Sequence, residues 1–351
     1  MKKEVFDKIV TNWYSNHKRD LPWRNTTNPY HIWLSEIMLQ QTRVNQGLPY
    51  FLAFTAQFSD IFALANAPEQ EVLRLWQGLG YYSRARNLHA TAKHIAHQLQ
   101  GKFPPNYLEL LKLKGVGSYT AAAIASFAYH EKVAVLDGNV FRVLSRYFGI
   151  TTDIASPEGA KEFSVLANKL LPDQNSSTYN QAIMEFGALQ CTPKNPGCND
   201  CPLANTCFAH IHQSQQSLPV KIKKLKVKTR YFNYLVFEHA GKQLLHERTE
   251  NDIWKGLNEY YLVESSKLND LDELAENHQV LKSILQNEHR VKHFSLPFKH
   301  ILTHQKIFAQ FIVIETPNRV AIEGYQYYSK TEMEDIAKPV LLLKFSSSLS
   351  F

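Results

Sequence analysis

Glu36 is the only charged residue between Tyr30 and Thr42. Trp33, Ile32 and Leu39 stand at i−3, i−4 and i+3 from it, so a helix would set its carboxyl on an apolar face. Desolvation there raises a carboxyl's pKa and keeps the proton on long enough to serve as an acid. A second carboxylate, in Asp137-Gly138-Asn139, lies between the apolar run Val133 to Leu136 and a new amphipathic pattern. Asp is a favoured helix cap and D-G-N a turn signature. A capping carboxylate is held ionised by the helix terminus, and an ionised carboxylate can stabilise positive charge that builds beside it. Arg19-Asp20-Leu21-Pro22-Trp23-Arg24 brings an indole and guanidinium groups together in an irregular stretch, a combination suited to a purine. All four cysteines fall at Cys191, Cys198, Cys201 and Cys207, as C-x6-C-x2-C-x5-C. In a reducing compartment this clustering favours a metal centre over disulfides, and four thiolates suit zinc or an iron–sulfur cluster equally.

These groups need a helical frame to meet. Val5, Ile9 and Trp13 predict a helix over 4–16, and Asn28-Pro29 caps and starts the helix that carries Glu36 through Thr42. Further helices are expected over 60–100, 156–171 and 179–190. Gly115-Val116-Gly117 should form a tight turn with positive φ, followed by an Ala-rich helix capped by Ser118. N–H groups at such a helix start bind anions, DNA phosphate among them. Trp76-Gln77-Gly78-Leu79-Gly80-Tyr81 echoes this turn at matching glycines. Arg84 and Arg86 follow it as candidate phosphate contacts.

The order W-L-S-E-I-M-L-Q-Q-T-R-V, L-P-W-R, G-V-G, V-L-D-G-N-V and the cysteine loop resembles the MutY-type adenine DNA glycosylases of the helix-hairpin-helix superfamily. The resemblance implies roles for individual residues. Glu36 protonates the five-membered ring of the purine. Asp137, with Asn139 beside it, stabilises the sugar cation or adds to the anomeric carbon. Arg19, Leu21, Trp23, Arg24 and Gln181 form the pocket for the extruded base. Gln41, Leu79 and Tyr81 hold the duplex open, and Gly115, Val116 and Gly117 form the DNA-binding hairpin. The related endonuclease III enzymes carry a lysine where this chain has Tyr119, and tyrosine cannot form a Schiff base with a sugar aldehyde. A glycosylase with weak lyase activity or none is expected. The cysteine spacing matches the family's [4Fe–4S] loop. Glu185 reads as a structural ion-pair partner.

The expected fold class is a mainly α helix-hairpin-helix domain over 1–207, with the cluster loop at 191–207, and an α+β domain over 231–351. Residues 208–230 form a basic linker between them. Strands are predicted at 230–238, 242–247, 257–263 and 307–315, with helices near 269–287 and 330–336. This second half resembles the Nudix-like lesion-recognition domain of the same family. Leu302-Thr303-His304 stands where the family has F-S-H, which puts Thr303 and His304 at the lesion. No Nudix catalytic run is present. Rival readings are a lyase acting on damaged pyrimidines and a non-enzymatic metal-dependent DNA-binding module. A net charge of +7 suits a polyanionic partner, here duplex DNA with adenine opposite 8-oxoguanine or guanine. Membrane-length apolar runs and a signal peptide are absent, so a cytoplasmic, nucleoid-associated monomer is expected.

Overall fold

The computed structural model describes residues 3–222 and 227–349. Lys223, Lys224 and Lys226, the densest part of the basic linker, lie outside the described residues. The chain divides into two compact units, Met1–Ala65 with Ala90–Lys224 and Asn66–His89 with Leu225–Phe351. The sequence-based boundaries differ from this at residues 66–89, whose glycine-rich turn packs with the C-terminal half. Gln70 Nε2 donates to Gly256 O at 2.9 Å and Arg86 Nη1 to Lys255 O at 2.6 Å.

Twelve helices precede the first strand among the described residues: α1 (Lys3–His17), α2 (Pro29–Leu39), α3 (Val44–Gln57), α4 (Ile61–Asn66), α5 (Glu69–Leu75), α6 (Tyr82–Gln98), α7 (Tyr107–Leu110), α8 (Ser118–Tyr129), α9 (Gly138–Phe148), α10 (Pro157–Leu170), α11 (Ser176–Leu189) and α12 (Phe208–Ile211). In the first unit, α2 and α8 are apolar on nearly every face, and each is buried along most of its length. α9 is amphipathic instead. Val140, Val143, Leu144 and Tyr147 point into a core shared with Phe6, Val10 and Trp13 of α1, Phe163 of α10 and Phe186 of α11. Gly149, at φ +73°, ends α9 in the left-handed conformation that glycine adopts without steric cost.

Three local details differ from the sequence reading. α2 stops at Leu39, and Gln41 takes a left-handed φ of +55°, so the segment Gln40–Thr42 is not helical. Gly117, not Ser118, caps α8, and Ser118 is its first helical residue. In that hairpin only Gly115 has positive φ (+77°), whereas Gly78 and Gly80 of the echo both do.

The second unit is α+β. Its strands are β1 (Lys228–His239), β2 (Lys242–Glu247), β3 (Asn258–Glu259), β4 (Tyr261–Ser265), β5 (Arg290–Phe294), β6 (Phe298–Ile301), β7 (Gln305–Glu315) and β8 (Gln326–Tyr328). They form one sheet in the order β3-β2-β1-β7-β5; β4 also pairs with β1, β6 with β7 and β8 with β2. β1 and β7 run parallel from Lys228↔Gln305 to Glu238↔Glu315, and both read as buried strands. Helices α13 (Leu271–Asn277) and α14 (Gln279–Leu285) cover one face through Leu274 and Leu281, which meet Leu235 and Phe237. Helix α15 (Lys330–Asp335) follows, and α16 (Val340–Ser348) stacks Phe345 on Phe311 with centroids 4.0 Å apart. Three strands (β5, β6 and β8) and α16 went unforeseen. Every residue of β5 is exposed, so its sequence carries no in-out alternation to read.

The crossing of α9 and α11 depends on Gly187. A Cβ there would come within 2.7 Å of Asn139 Cβ and 2.9 Å of Asn139 O. Gly187→Ala should destabilise the fold by about 1–3 kcal/mol, as overpacking does, and displace the start of α9. A urea melt of the variant with an unchanged midpoint would show that the helices separate freely.

Candidate active site and cysteine centre

Glu36 sits midway along α2 and is 5% exposed. Burial, reinforced by Asp137, raises its pKa to about 7 against the opposing effects of Tyr119 and Arg24. Tyr119, in the first turn of α8, donates its hydroxyl to Glu36 Oε2. Burial and the two carboxylates push the Tyr119 pKa well up, so the phenol stays a donor.

Asp137 caps α9, its Oδ1 accepting from Val140 N at 2.7 Å and its Oδ2 from Asn139 Nδ2 at 2.6 Å. The expectation that capping holds this carboxyl low needs correcting. Burial raises its pKa, and the N–H donors and Arg142 offset that only in part. The two carboxyls still differ in kind: Asp137 is surrounded by donors that favour its anion, whereas one phenol serves Glu36.

Glu36, Tyr119, Asp137 and Asn139 line a cavity of about 590 Å³ together with Arg19, Leu21, Trp23, Arg24 and Gln181. That volume is in the range of small-molecule sites. Glu185 forms part of the wall and accepts from Arg19 Nε at 2.8 Å and from Arg24 Nη1 at 2.8 Å. Burial opposes its charge, but these guanidinium bonds outweigh burial and hold the carboxyl at about 2. Gln41 is exposed, and Val116 is buried.

Two site residues escaped the sequence reading. Tyr14 of α1 donates to Gln181 Oε1 at 2.9 Å. Arg142 of α9 donates to Asn139 Oδ1 at 2.8 Å, Gly187 O at 2.6 Å and Cys191 O at 2.7 Å. In sequence both look like ordinary members of amphipathic helices, and only the helix packing reveals their partners.

The other candidates belong to the second unit. Tyr81 is 41% exposed, but Leu79 is buried at 4% and presents no wedge in this conformation. Arg84 is buried too, lies over the Trp76 ring and donates to Leu79 O and Gly80 O. Arg86 is tied to Lys255 O. Arg84 therefore shapes the turn, whereas Arg86 ties α6 to the 255 segment. Thr303 is exposed and hydrogen-bonded to the Tyr81 hydroxyl, and His304 O accepts from Lys228 N at 2.9 Å.

Cys191, Cys198, Cys201 and Cys207 are free thiols lining one void of about 30 Å³. Arg146 Nη1 points at Cys191 Sγ from 3.4 Å. Burial and the neighbouring sulfurs push Cys201 up to about 11, so the thiol keeps its proton unless a bound cation displaces it. Among the described residues no group of three or more ligating side chains has the geometry of a single-ion site. A four-thiol donor set converging on one void, with a guanidinium beside it, fits a thiolate-held group. No helix among the described residues is long and apolar enough to cross a membrane.

Residues 34–169 match the family described as HhH-GPD superfamily base excision DNA repair protein. A thermostable thymine-DNA glycosylase aligns at a TM-score of 0.56 and 29% identity, over 60% of this chain and 97% of that one. A non-covalent endonuclease III–DNA complex aligns at 0.53 and 20% identity, over 61% of this chain and 98% of that one, and shares the fold. The helical unit is therefore that of a helix-hairpin-helix DNA glycosylase. Adenine DNA glycosylase of Buchnera aphidicola subsp. Schizaphis graminum (strain Sg) is 36% identical over 88% of this chain and 90% of its own length. The Homo sapiens adenine DNA glycosylase is 40% identical over 61% of this chain and 41% of its own. The chain belongs to the adenine DNA glycosylase family.

The Glu36 environment sets a pH signature. A carbon-13 label on its carboxyl should titrate near 7, and Tyr119→Phe should raise the midpoint by removing a bond to the anion. The folded state binds this proton more tightly than the unfolded chain. Its stability is therefore present in acid and is lost as pH rises from about 4.5 to about 7. Glu36→Gln should consequently stabilise the fold more at pH 8 than at pH 5. A midpoint below 5 would overturn the burial argument.

Proposed function

We propose that this chain removes adenine from duplex DNA where adenine is mispaired with 8-oxoguanine or guanine, by hydrolysing the N-glycosidic bond of the extruded base. The observation that carries the reading is one cavity holding a carboxyl protonated near neutrality opposite a donor-rich carboxylate. A purine has to leave the stack before its glycosidic bond can be reached. In the cavity the Glu36 carboxyl gives its proton to a ring nitrogen, and the C1′–N9 bond breaks with its electron pair leaving on the purine. Asp137, held by Val140 N and Asn139, stabilises the cation left on the sugar until water adds and gives its proton to the Glu36 carboxylate. Tyr119 orients Glu36 and lacks the amine that a lyase step requires.

Cys191, Cys198, Cys201 and Cys207 would hold a [4Fe–4S] cluster, and when bound that group would supply a rigid cross-link of the loop. The α+β unit would read the lesion through Thr303 and His304, with the enzyme working as a monomer on DNA.

Glu36→Gln should bind mispaired duplex with near-normal affinity and lose about 10²–10⁴-fold in single-turnover excision. Excision within threefold of wild type would remove Glu36 from the acid role. Anaerobically prepared protein should contain iron and sulfide in equal amounts, and Cys198→Ala should lose both along with thermal stability. Zinc without visible absorption would exclude the cluster.

A further inference from the structure

Gln181 and Glu185 lie one turn apart on α11, and both line the cavity. Glu185 leaves little for a base to bind. Its two oxygens accept from Arg19 N, Nε and Nη2 and from Arg24 Nη1 and Nη2, five bonds at 2.5–3.0 Å. Arg19 and Arg24 carry only donors. Among these four side chains Gln181 alone has the freedom to present either a donor or an acceptor to a base, and its choice sets the character of the whole wall.

Tyr14 makes that choice. Its hydroxyl donates to Gln181 Oε1 at 2.9 Å, which leaves the amide nitrogen without a protein partner among the described residues. Burial raises the Tyr14 pKa, so the phenol keeps its proton. Turning the amide over would aim N–H groups at the phenol oxygen and break the bond that the buried Tyr14 hydroxyl donates to Oε1. The ring is held as well, since the Arg24 guanidinium lies 5.8 Å from its centroid and α1 packs along α11.

We propose that Tyr14 is a positioning residue for base specificity: it locks Gln181 with N–H toward the cavity, so that Gln181, Arg19 and Arg24 together read an acceptor edge of the purine. The inference rests on the reading that the cavity receives adenine. Adenine has unprotonated ring nitrogens at N1, N3 and N7, and with one of the three taken by Glu36 the wall has acceptors left to bind. Guanine carries a hydrogen on N1, so a donor wall repels it at that edge; the discrimination belongs to the N1 edge, because the N7–O6 edge of guanine is made of acceptors.

The test compares excision of adenine with excision of 1-deazaadenine and 3-deazaadenine, each of which replaces one acceptor by C–H, in otherwise identical duplexes. Comparing wild type with variants cancels the intrinsic lability of each glycosidic bond. Wild type should excise one analogue about tenfold more slowly than adenine, the scale of one polar base contact. Tyr14→Phe should shrink that ratio to within about threefold, because the freed amide can turn. Gln181→Leu, which leaves α1 untouched, should abolish it. A Tyr14→Phe enzyme that keeps the wild-type ratio overturns the proposal, as does a wild-type enzyme that excises adenine and both analogues alike. A wild type that excises no adenine at all would sink the proposed function, and this inference with it.

Discussion

A carboxyl buried in an apolar helix is unstable as an anion, and the active cavity is organised around that fact. Water solvates Glu36 poorly, since it is 5% exposed and its α2 neighbours Ile32, Trp33 and Ile37 are apolar and buried. The remaining need for a partner is met by one phenol from α8. A stronger partner, such as a guanidinium in direct contact, would fix the anion and remove the acid. Glu185 shows this other outcome in the same cavity, where two arginines hold a carboxyl near 2. Two glutamates lining one cavity thus end far apart in acidity, because one received a phenol and the other two guanidinium groups.

The first turn of α9 is the second fixed point. Asp137 caps it, Asn139 braces Asp137, and Arg142 braces Asn139 while also holding Gly187 O and Cys191 O. The position of the cavity's carboxylate and the start of the cysteine loop therefore depend on one guanidinium. The close approach of α11 at Gly187 is what brings that carbonyl within reach. Cysteine loop and cavity are neighbours along one helix pair, and Arg142 bonds to both.

Much of this was legible in the sequence for identifiable reasons. Glu36 stood out because it is the one charge in an otherwise apolar helical run, although a lone glutamate on the polar side of a helix would read the same way. Asp137 stood out because a cap signature coincided with a functional pattern. Tyr14 and Arg142 were not legible, since their importance lies in partners far along the chain, Gln181 and Cys191. Arg84 misled because an arginine that braces a glycine turn from inside has the same local sequence as one that faces phosphate. The second half was read least well. The edge strand β5 is exposed throughout, and the parallel pairing of β1 with β7 joins segments that nothing local connects.

The grouping of residues 66–89 with the C-terminal half has a consequence for how the chain is made. As the protein emerges from a ribosome, this early segment leaves the exit tunnel long before its partners Lys255, Gly256 and Lys338 have been synthesised. At ~5–20 residues per second the wait is on the order of ten seconds. During that interval Leu73, buried in the finished structure beside Gly256, has no permanent place to go. The nascent chain carries an apolar segment in its first third whose burial is deferred to the last, and a chaperone that holds such segments would find its substrate there.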